Sequence, residues 1–198
     1  MGFLDKVRRF FSTPLNKPRQ EQVRDDIFGV LQTFGVRAQI APPGLPEEEI
    51  GIGSSLLIDI LEGPIRWVNV RKETTSSGQP GGESTSYYTD YGIPDFRLGP
   101  DLSRLRIHSV RIKTFPLIGK VIDLQWKGKD YGLGIIGHLS SDDSIKPPMM
   151  RGRDVKISTN SDHRCWILST KTWQAPSKEL WECYQTIGRH LVAEWPSD

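Results

Sequence analysis

Apolar and polar residues alternate with a period of two along much of the chain, most clearly in FPLIGKVIDLQWKGKDYGLGIIGHL, residues 115–139. This alternation predicts a β-hairpin with strands at 121–126 and 131–136, joined by a polar turn at 127–130 that contains a glycine. The glycines at 132, 134 and 137 would leave one face of the second strand bare, so that another element or a ligand could approach closely. We expect the rest of the fold to be built around this hairpin.

Similar alternation predicts six further strands, at residues 36–41, 56–61, 65–72, 105–113, 155–159 and 165–169. Between the third and fourth of these, residues 74–86 hold no large apolar side chain, which predicts a long mobile loop. Three tyrosines, Tyr87, Tyr88 and Tyr91, follow this loop. They are candidates for a binding rim, and the alternative is aromatic packing over a sheet edge.

Helical spacing of apolar residues appears near both ends of the chain. Residues 20–34 predict a helix with Gly35 as its C-cap. A second helix is predicted to begin after the N-cap Ser177 and to end before Pro196, with its apolar stripe covering the sheet. The predicted fold class is therefore α+β: a bent antiparallel sheet or small barrel of about seven to nine strands, with an N-terminal helix and a C-terminal capping helix.

The first 12 residues show a short amphipathic pattern that is closed by Pro14 and Pro18. Its apolar side consists of Phe3, Leu4, Val7, Phe10 and Phe11. A basic amphipathic helix with aromatic residues can lie in a lipid interface, although the same side can also dock on the domain or on a second copy. We predict an N-terminal segment and linker at 1–19, followed by a single domain at 20–198.

Charge and cysteine content limit the classes of function. The 26 basic and 24 acidic residues give a net charge of +2, so nucleic acid is not an expected partner. The alternative is a basic face for nucleic acid, made of Arg104, Arg106, Arg111, Lys113, Lys120, Lys127 and Lys129. Interspersed acidic residues favour an ordinary solvated surface instead. Two cysteines and no stretch of 18 apolar residues favour a cytoplasmic protein with free, buried thiols.

Few residues have spacings that are typical of catalysis. His138 precedes Asp142 and Asp143 where a strand enters a loop, an arrangement in which a carboxylate can orient a general base. The sequence contains no nucleophile elbow and no phosphate-binding loop. The four residues suited to zinc, His163, Cys165, Cys183 and His190, have none of the usual close spacings, so neither a metal nor a cofactor is expected.

These observations together favour a non-catalytic binding or adaptor domain with an unknown protein partner. A peripheral contact with a membrane through the segment Phe3–Phe11 is part of this expectation. One alternative is a small hydrolase-like enzyme with its site near His138, Asp142 and Asp143. The other is a structural subunit whose exposed aromatic residues, such as Trp67, Tyr87 and Tyr88, form a partner surface.

Overall fold

The described residues of the computed structural model form one open, antiparallel sheet of eight strands. The structure describes residues 19–41, 57–76, 83–115, 119–172 and 174–193. The strands are β1 (Ala38–Ile40), β2 (Leu57–Ile60), β3 (Trp67–Ser76), β4 (Glu83–Pro94), β5 (Arg106–Lys113), β6 (Val121–Lys129), β7 (Val155–Asn160) and β8 (Cys165–Thr170). Their spatial order is β1-β2-β3-β4-β8-β7-β5-β6, so the β7–β8 hairpin lies between β4 and β5.

Four α-helices occur within the described ranges: α1 (Arg19–Thr33), α2 (Ile135–Ser141), α3 (Lys146–Arg151) and α4 (Lys178–Val192). All four contribute to a single core with one side of the sheet. Leu31 of α1, Met149 of α3 and Ile187 of α4, for example, are buried in the same cluster as Val68 and Ile107 of the strands. We call this side of the sheet the helix-covered face and the opposite side the second face.

The α+β fold class is confirmed, and the sheet is not closed into a barrel. The N-terminal helix ends as expected, with Gly35 in the left-handed region at a φ of 80°. The C-terminal helix has the predicted N-cap, because the Ser177 hydroxyl accepts a hydrogen bond from the amide of Leu180. This helix packs on β4, where Tyr91 contacts Tyr184 with ring centroids 4.9 Å apart, and on α2, where the ring centroids of His138 and His190 lie 6.4 Å apart.

A buried carboxylate ties the C-terminal end of α4 to the sheet. The Arg97 guanidinium donates to the carbonyls of Leu191 and Ala193 and to the carboxylate of Asp95. The Trp166 indole also donates to Asp95, at 3.0 Å. Burial alone would raise the pKa of Asp95, but the hydrogen bonds from Arg97 and Trp166 outweigh it, so this pKa lies below its usual value.

The central hairpin prediction is wrong in its second strand. Residues 121–126 do form a strand, but β6 continues through the predicted turn to Lys129 and pairs with β5, which precedes it. Tyr131, Gly132 and Gly134 all have positive φ values, of 53°, 83° and 69°, which no strand accommodates. The glycines therefore form a tight turn that leads into α2.

Two short helices, α2 and α3, replace the predicted strand at 131–136 and part of the polar connection at 140–154. The start of α2 is held by Asp130, whose carboxylate accepts from the amide of Ile136 at 3.2 Å. The predicted loop at 74–86 is also too long, because Thr75 pairs with Ser84 in the β3–β4 ladder. Only its centre, residues 77–82, lies outside the described residues.

Candidate binding face of the sheet

The second face of the sheet has two halves that differ in burial. One half, which we call the closed half, is made of outward positions on β2, β3, β4 and β8, and it includes five buried side chains. Its buried members are Leu57, Trp67, Asn69, Asp90 and Cys165. These side chains are buried on the second face, whereas all four described helices pack on the helix-covered face.

Close packing and paired charge characterise the closed half. Trp67 lies directly over Gly92, where a Cβ atom would come within 1.7 Å of the indole ring. The buried Asp90 carboxylate accepts hydrogen bonds from the Arg71 guanidinium and from the Ser169 hydroxyl. The negative charge of Asp90 is thus neutralised by groups of the protein itself.

The other half, which we call the open half, is formed by β7, β5 and β6 and is exposed and positively charged. We call its five exposed residues the basic patch: Arg106, His108, Lys127, Lys129 and Lys156. In the strand register, Lys156 lies opposite His108 and His108 lies opposite Lys127. Arg106 lies opposite Lys129 in the adjacent row. The two strands of one hairpin and a third strand from further along the chain therefore bring these basic side chains together.

The patch is dense because neighbouring strands lie about 4.8 Å apart and alternate residues of one strand about 6.8 Å apart. None of its three lysines forms an ion pair with another described residue. Asp123 is the acidic residue of β5, β6 and β7 that points to the second face. Its carboxylate pairs with Lys146 of α3 at 2.6 Å. Like charges that face each other across strands, as Arg106 and Lys129 do here, destabilise a sheet, so this arrangement opposes folding.

A glycine supports the geometry of the basic patch. Gly128 lies between Lys127 and Lys129, opposite Ile107, at a φ of 138°. A Cβ atom at this position would lie 2.0 Å from the carbonyl oxygen of Arg106. Only glycine permits this close approach of β6 to β5, and with it the position of Lys129 next to Arg106.

A groove of about 320 Å³ lies between the end of α1, the β2–β3 connection and α4. The charged groups that line it are largely paired with each other. Arg37 donates to Glu62 at 2.7 Å, and Lys178 lies 3.9 Å from Glu182. The groove therefore offers a ligand less uncompensated charge than the basic patch.

No hydrogen bond or ion pair joins any two of the three residues suggested for catalysis, His138, Asp142 and Asp143. Asp142 pairs instead with His190 of α4, at 2.7 Å, while His138 and Asp143 are exposed. The rings of His138 and His190 are nearly parallel with centroids 6.4 Å apart. Hydrogen bonds from His190 and Ser144 lower the pKa of Asp142 to about 2, so the carboxylate is ionised and engaged.

The three candidate tyrosines do not share one surface. Tyr91 is 1% exposed and lies in the core, where burial raises its pKa well above the usual value. Tyr87 lies on the same side of β4 as Tyr91, whereas Tyr88 faces the other side with the Arg71 guanidinium 4.3 Å from its ring centre. The apolar residues Phe3, Leu4, Val7, Phe10 and Phe11 lie outside the described residues.

Both cysteines are free and buried. Burial raises the pKa of Cys165 to about 11 and, together with the negative charge of Asp142, that of Cys183 to about 12. These thiols are therefore protonated and poor nucleophiles at neutral pH. Within the described ranges, no three histidine, cysteine or acidic side chains come together as a metal site.

The sequence indicated only part of the basic patch. Arg106, Lys127 and Lys129 belong to the basic face considered from the sequence, but Arg111 points to the helix-covered side, where it pairs with Asp154. His108 and Lys156 were not in that set. Alternate residues of β5 point to opposite faces, so Arg106 and His108 share a face and Arg111 lies on the other. Lys156 joins the patch only because β7 lies next to β5 in the strand order.

Among the described residues, no helix has the length and apolar character that crossing a membrane requires. No protein-family model matches the chain, and searches among curated proteins and among solved structures find no match either.

Proposed function

We propose that the protein is a non-catalytic binding domain whose recognition surface is the basic patch. The observation that carries this proposal is the register of Lys156, His108 and Lys127 across three neighbouring strands, all exposed and, for the lysines, without an ion pair to any described residue. A partner with several negative charges would relieve the repulsion between these groups. The proposed partner is therefore polyanionic.

A simpler explanation accounts for only part of the patch. Lysines on edge strands prevent a sheet from pairing with another molecule, and β6 is an edge strand. This explanation covers Lys127 and Lys129. It does not cover Arg106, His108 or Lys156, because β5 and β7 have a paired strand on each side.

The state of the reactive groups supports a binding role rather than a catalytic one. Cys165 and Cys183 are buried thiols with raised pKa values, and Asp142 is held by His190 and Ser144. The basic patch itself consists of four cations and a histidine on an antiparallel sheet, which suits electrostatic recognition.

Retention on a heparin column tests the proposal, because heparin is a flexible polyanion that demands no particular fit. The test variant is Lys127→Glu with Lys129→Glu and Lys156→Glu. The matched control is Lys72→Glu with Lys113→Glu and Lys178→Glu, three exposed lysines outside the patch. Three replacements of two charges each change the net charge from +2 to −4 in both variants.

We expect the wild-type protein to be retained at 50 mM salt, the patch variant to pass through the column, and the control to elute much closer to the wild type. Equal loss of retention in both variants would show that net charge alone is responsible, and the proposed surface would then be wrong. Circular dichroism of each variant confirms that the fold persists.

A peripheral contact with a membrane through Phe3–Phe11 belongs to the same proposal as a second, separate contact. It is supported by the amphipathic pattern of residues 1–12. Sedimentation with anionic vesicles tests it, with the full chain compared with a chain that lacks residues 1–12. If both chains sediment equally, or neither does, this contact is refuted and the basic patch is unaffected.

A further inference from the structure

We infer that the basic patch binds the phosphate backbone of double-stranded nucleic acid without reading its bases. The inference rests on the proposed function and specifies the partner. The patch is rich in lysine and lacks large apolar side chains, and these two properties separate a duplex from lipid and protein partners.

A protein partner fits this surface poorly. Protein interfaces are depleted in lysine and draw most of their affinity from central aromatic or apolar anchors. Three of the five patch residues are lysines. The large apolar side chains that the described residues expose, among them Phe96, Phe115 and Tyr131, lie outside the basic patch.

A lipid bilayer is also a weaker match. Lasting attachment to a membrane generally combines basic residues with apolar groups that enter the bilayer. Two exposed apolar residues, Phe115 and Ile122, lie at the turn of the β5–β6 hairpin, whereas Arg106 and Lys129 lie at its opposite end. Tyr131, which is also exposed, follows Lys129 by two residues, but one ring with a polar hydroxyl offers little apolar surface to enter a bilayer.

A nucleic acid duplex needs no more than the patch provides. Its phosphates carry a high density of negative charge, and lysine and arginine side chains bind them by displacing condensed counterions. Binding of single strands usually depends on aromatic side chains that stack on the bases. The patch has no aromatic side chain except the imidazole of His108, and it therefore favours a backbone-only contact with a duplex.

From the net charge of +2 alone, nucleic acid is not an expected partner. That charge is an average over the whole surface. Arg71 and Arg97 are paired with acidic residues outside these strands, whereas the lysines of the basic patch have no described carboxylate as a partner, which leaves an excess of positive charge on β5, β6 and β7. Local charge, rather than the total, determines the field that a phosphate backbone meets at this surface.

The salt dependence of binding gives a quantitative test. Fluorescence anisotropy with a labelled duplex DNA of 20 base pairs should show binding at 50 mM salt, with equal affinity for a second, unrelated sequence. Four permanent cations predict a slope of log affinity against log salt of about −3.6, which is roughly a 150-fold loss between 50 and 200 mM. Lys156→Ala should reduce the slope to about −2.7, and removal of all three lysines should reduce it to about −0.9.

Three parallel arms distinguish the inference from the function on which it rests. A single strand of the same length should bind more weakly than the duplex, and anionic vesicles and polyglutamate should bind more weakly still. Tighter binding of any of these three would overturn the duplex assignment while the heparin result still supports a polyanion surface. Absence of binding to heparin and to every arm would refute both proposals together. Strong preference for one DNA sequence would refute the backbone-only contact.

Discussion

The two halves of the second face treat charge in opposite ways. In the closed half, Asp90 is buried and its charge is satisfied by Arg71 and Ser169. In the open half, Lys156, His108 and Lys127 lie side by side, and no described carboxylate pairs with the lysines. The same sheet thus joins a half whose paired groups stabilise the protein to a half whose like charges repel each other. The proposed function accounts for this difference, because a surface that binds a polyanion needs the unpaired positive charge that the fold does not.

The largest expected effect concerns stability in the closed half. Gly92→Ala would place a methyl group within 1.7 Å of the Trp67 ring, so we expect the free energy of unfolding to fall by about 3 kcal/mol. Chemical denaturation measures this change. Gly29→Ala is the matched control: nothing lies within 4 Å of the added methyl group in α1, and stability should rise by up to about 1 kcal/mol. Equal effects of the two replacements would contradict the packing described.

A glycine of the open half should matter for both stability and binding. Gly128→Ala forces a side chain into a backbone conformation at a φ of 138° and against the carbonyl of Arg106. We expect a loss of about 2 kcal/mol in the free energy of unfolding and weaker retention on heparin, because Lys129 would move away from Arg106. Unchanged retention of a correctly folded variant would show that the spacing of the patch is unimportant.

Acid should act through the buried carboxylate that anchors α4. The pKa of Asp95 is lower in the folded protein than in the unfolded chain, so its stabilising contribution is complete above about pH 4 and is lost as the pH falls through the folded value. Asp95→Asn should lower the free energy of unfolding by about 1–2 kcal/mol at pH 7 and by less at pH 3. Denaturation curves at the two pH values measure this difference. A deficit that is the same at both would contradict the assigned role.

The smallest expected effect on stability comes from the basic patch. Lys127→Ala with Lys129→Ala and Lys156→Ala should change the free energy of unfolding by no more than about 0.5 kcal/mol, with a gain favoured because repulsion is relieved. Thermal denaturation at low and high salt measures this, since salt screens the repulsion in the wild type. A loss of several kcal/mol would indicate that these lysines serve the fold, and the contrast between the two halves would disappear.

The terminal helices and most strands could be predicted from the sequence because their signals are local. Ser177 and Gly35 mark helix ends through backbone chemistry that acts within a few residues. The hairpin at 115–139 failed because glycines at 132 and 134 fit an alternating pattern by position, whereas their positive φ values make a turn. Nothing in their spacing distinguishes the two structures.

The candidate site was less accessible from the sequence because it depends on strand order. Alternation alone separates Arg106 and His108 from Arg111 on β5. Lys156 could not be added, because β7 reaches β5 only through the insertion of the β7–β8 hairpin into the sheet. The pairing of Asp142 with His190 likewise joins residues that are 48 positions apart.

An NMR titration of the ¹⁵N-labelled protein with a short heparin oligosaccharide at low salt shows directly which surface binds a polyanion. We expect the largest amide shifts at Arg106–His108, at Lys127–Lys129 and around Lys156, with little change in β2, β3 and α1. Largest shifts in the closed half or in the groove between α1 and α4, or no shifts at all, would contradict the claim that the basic patch is the recognition surface.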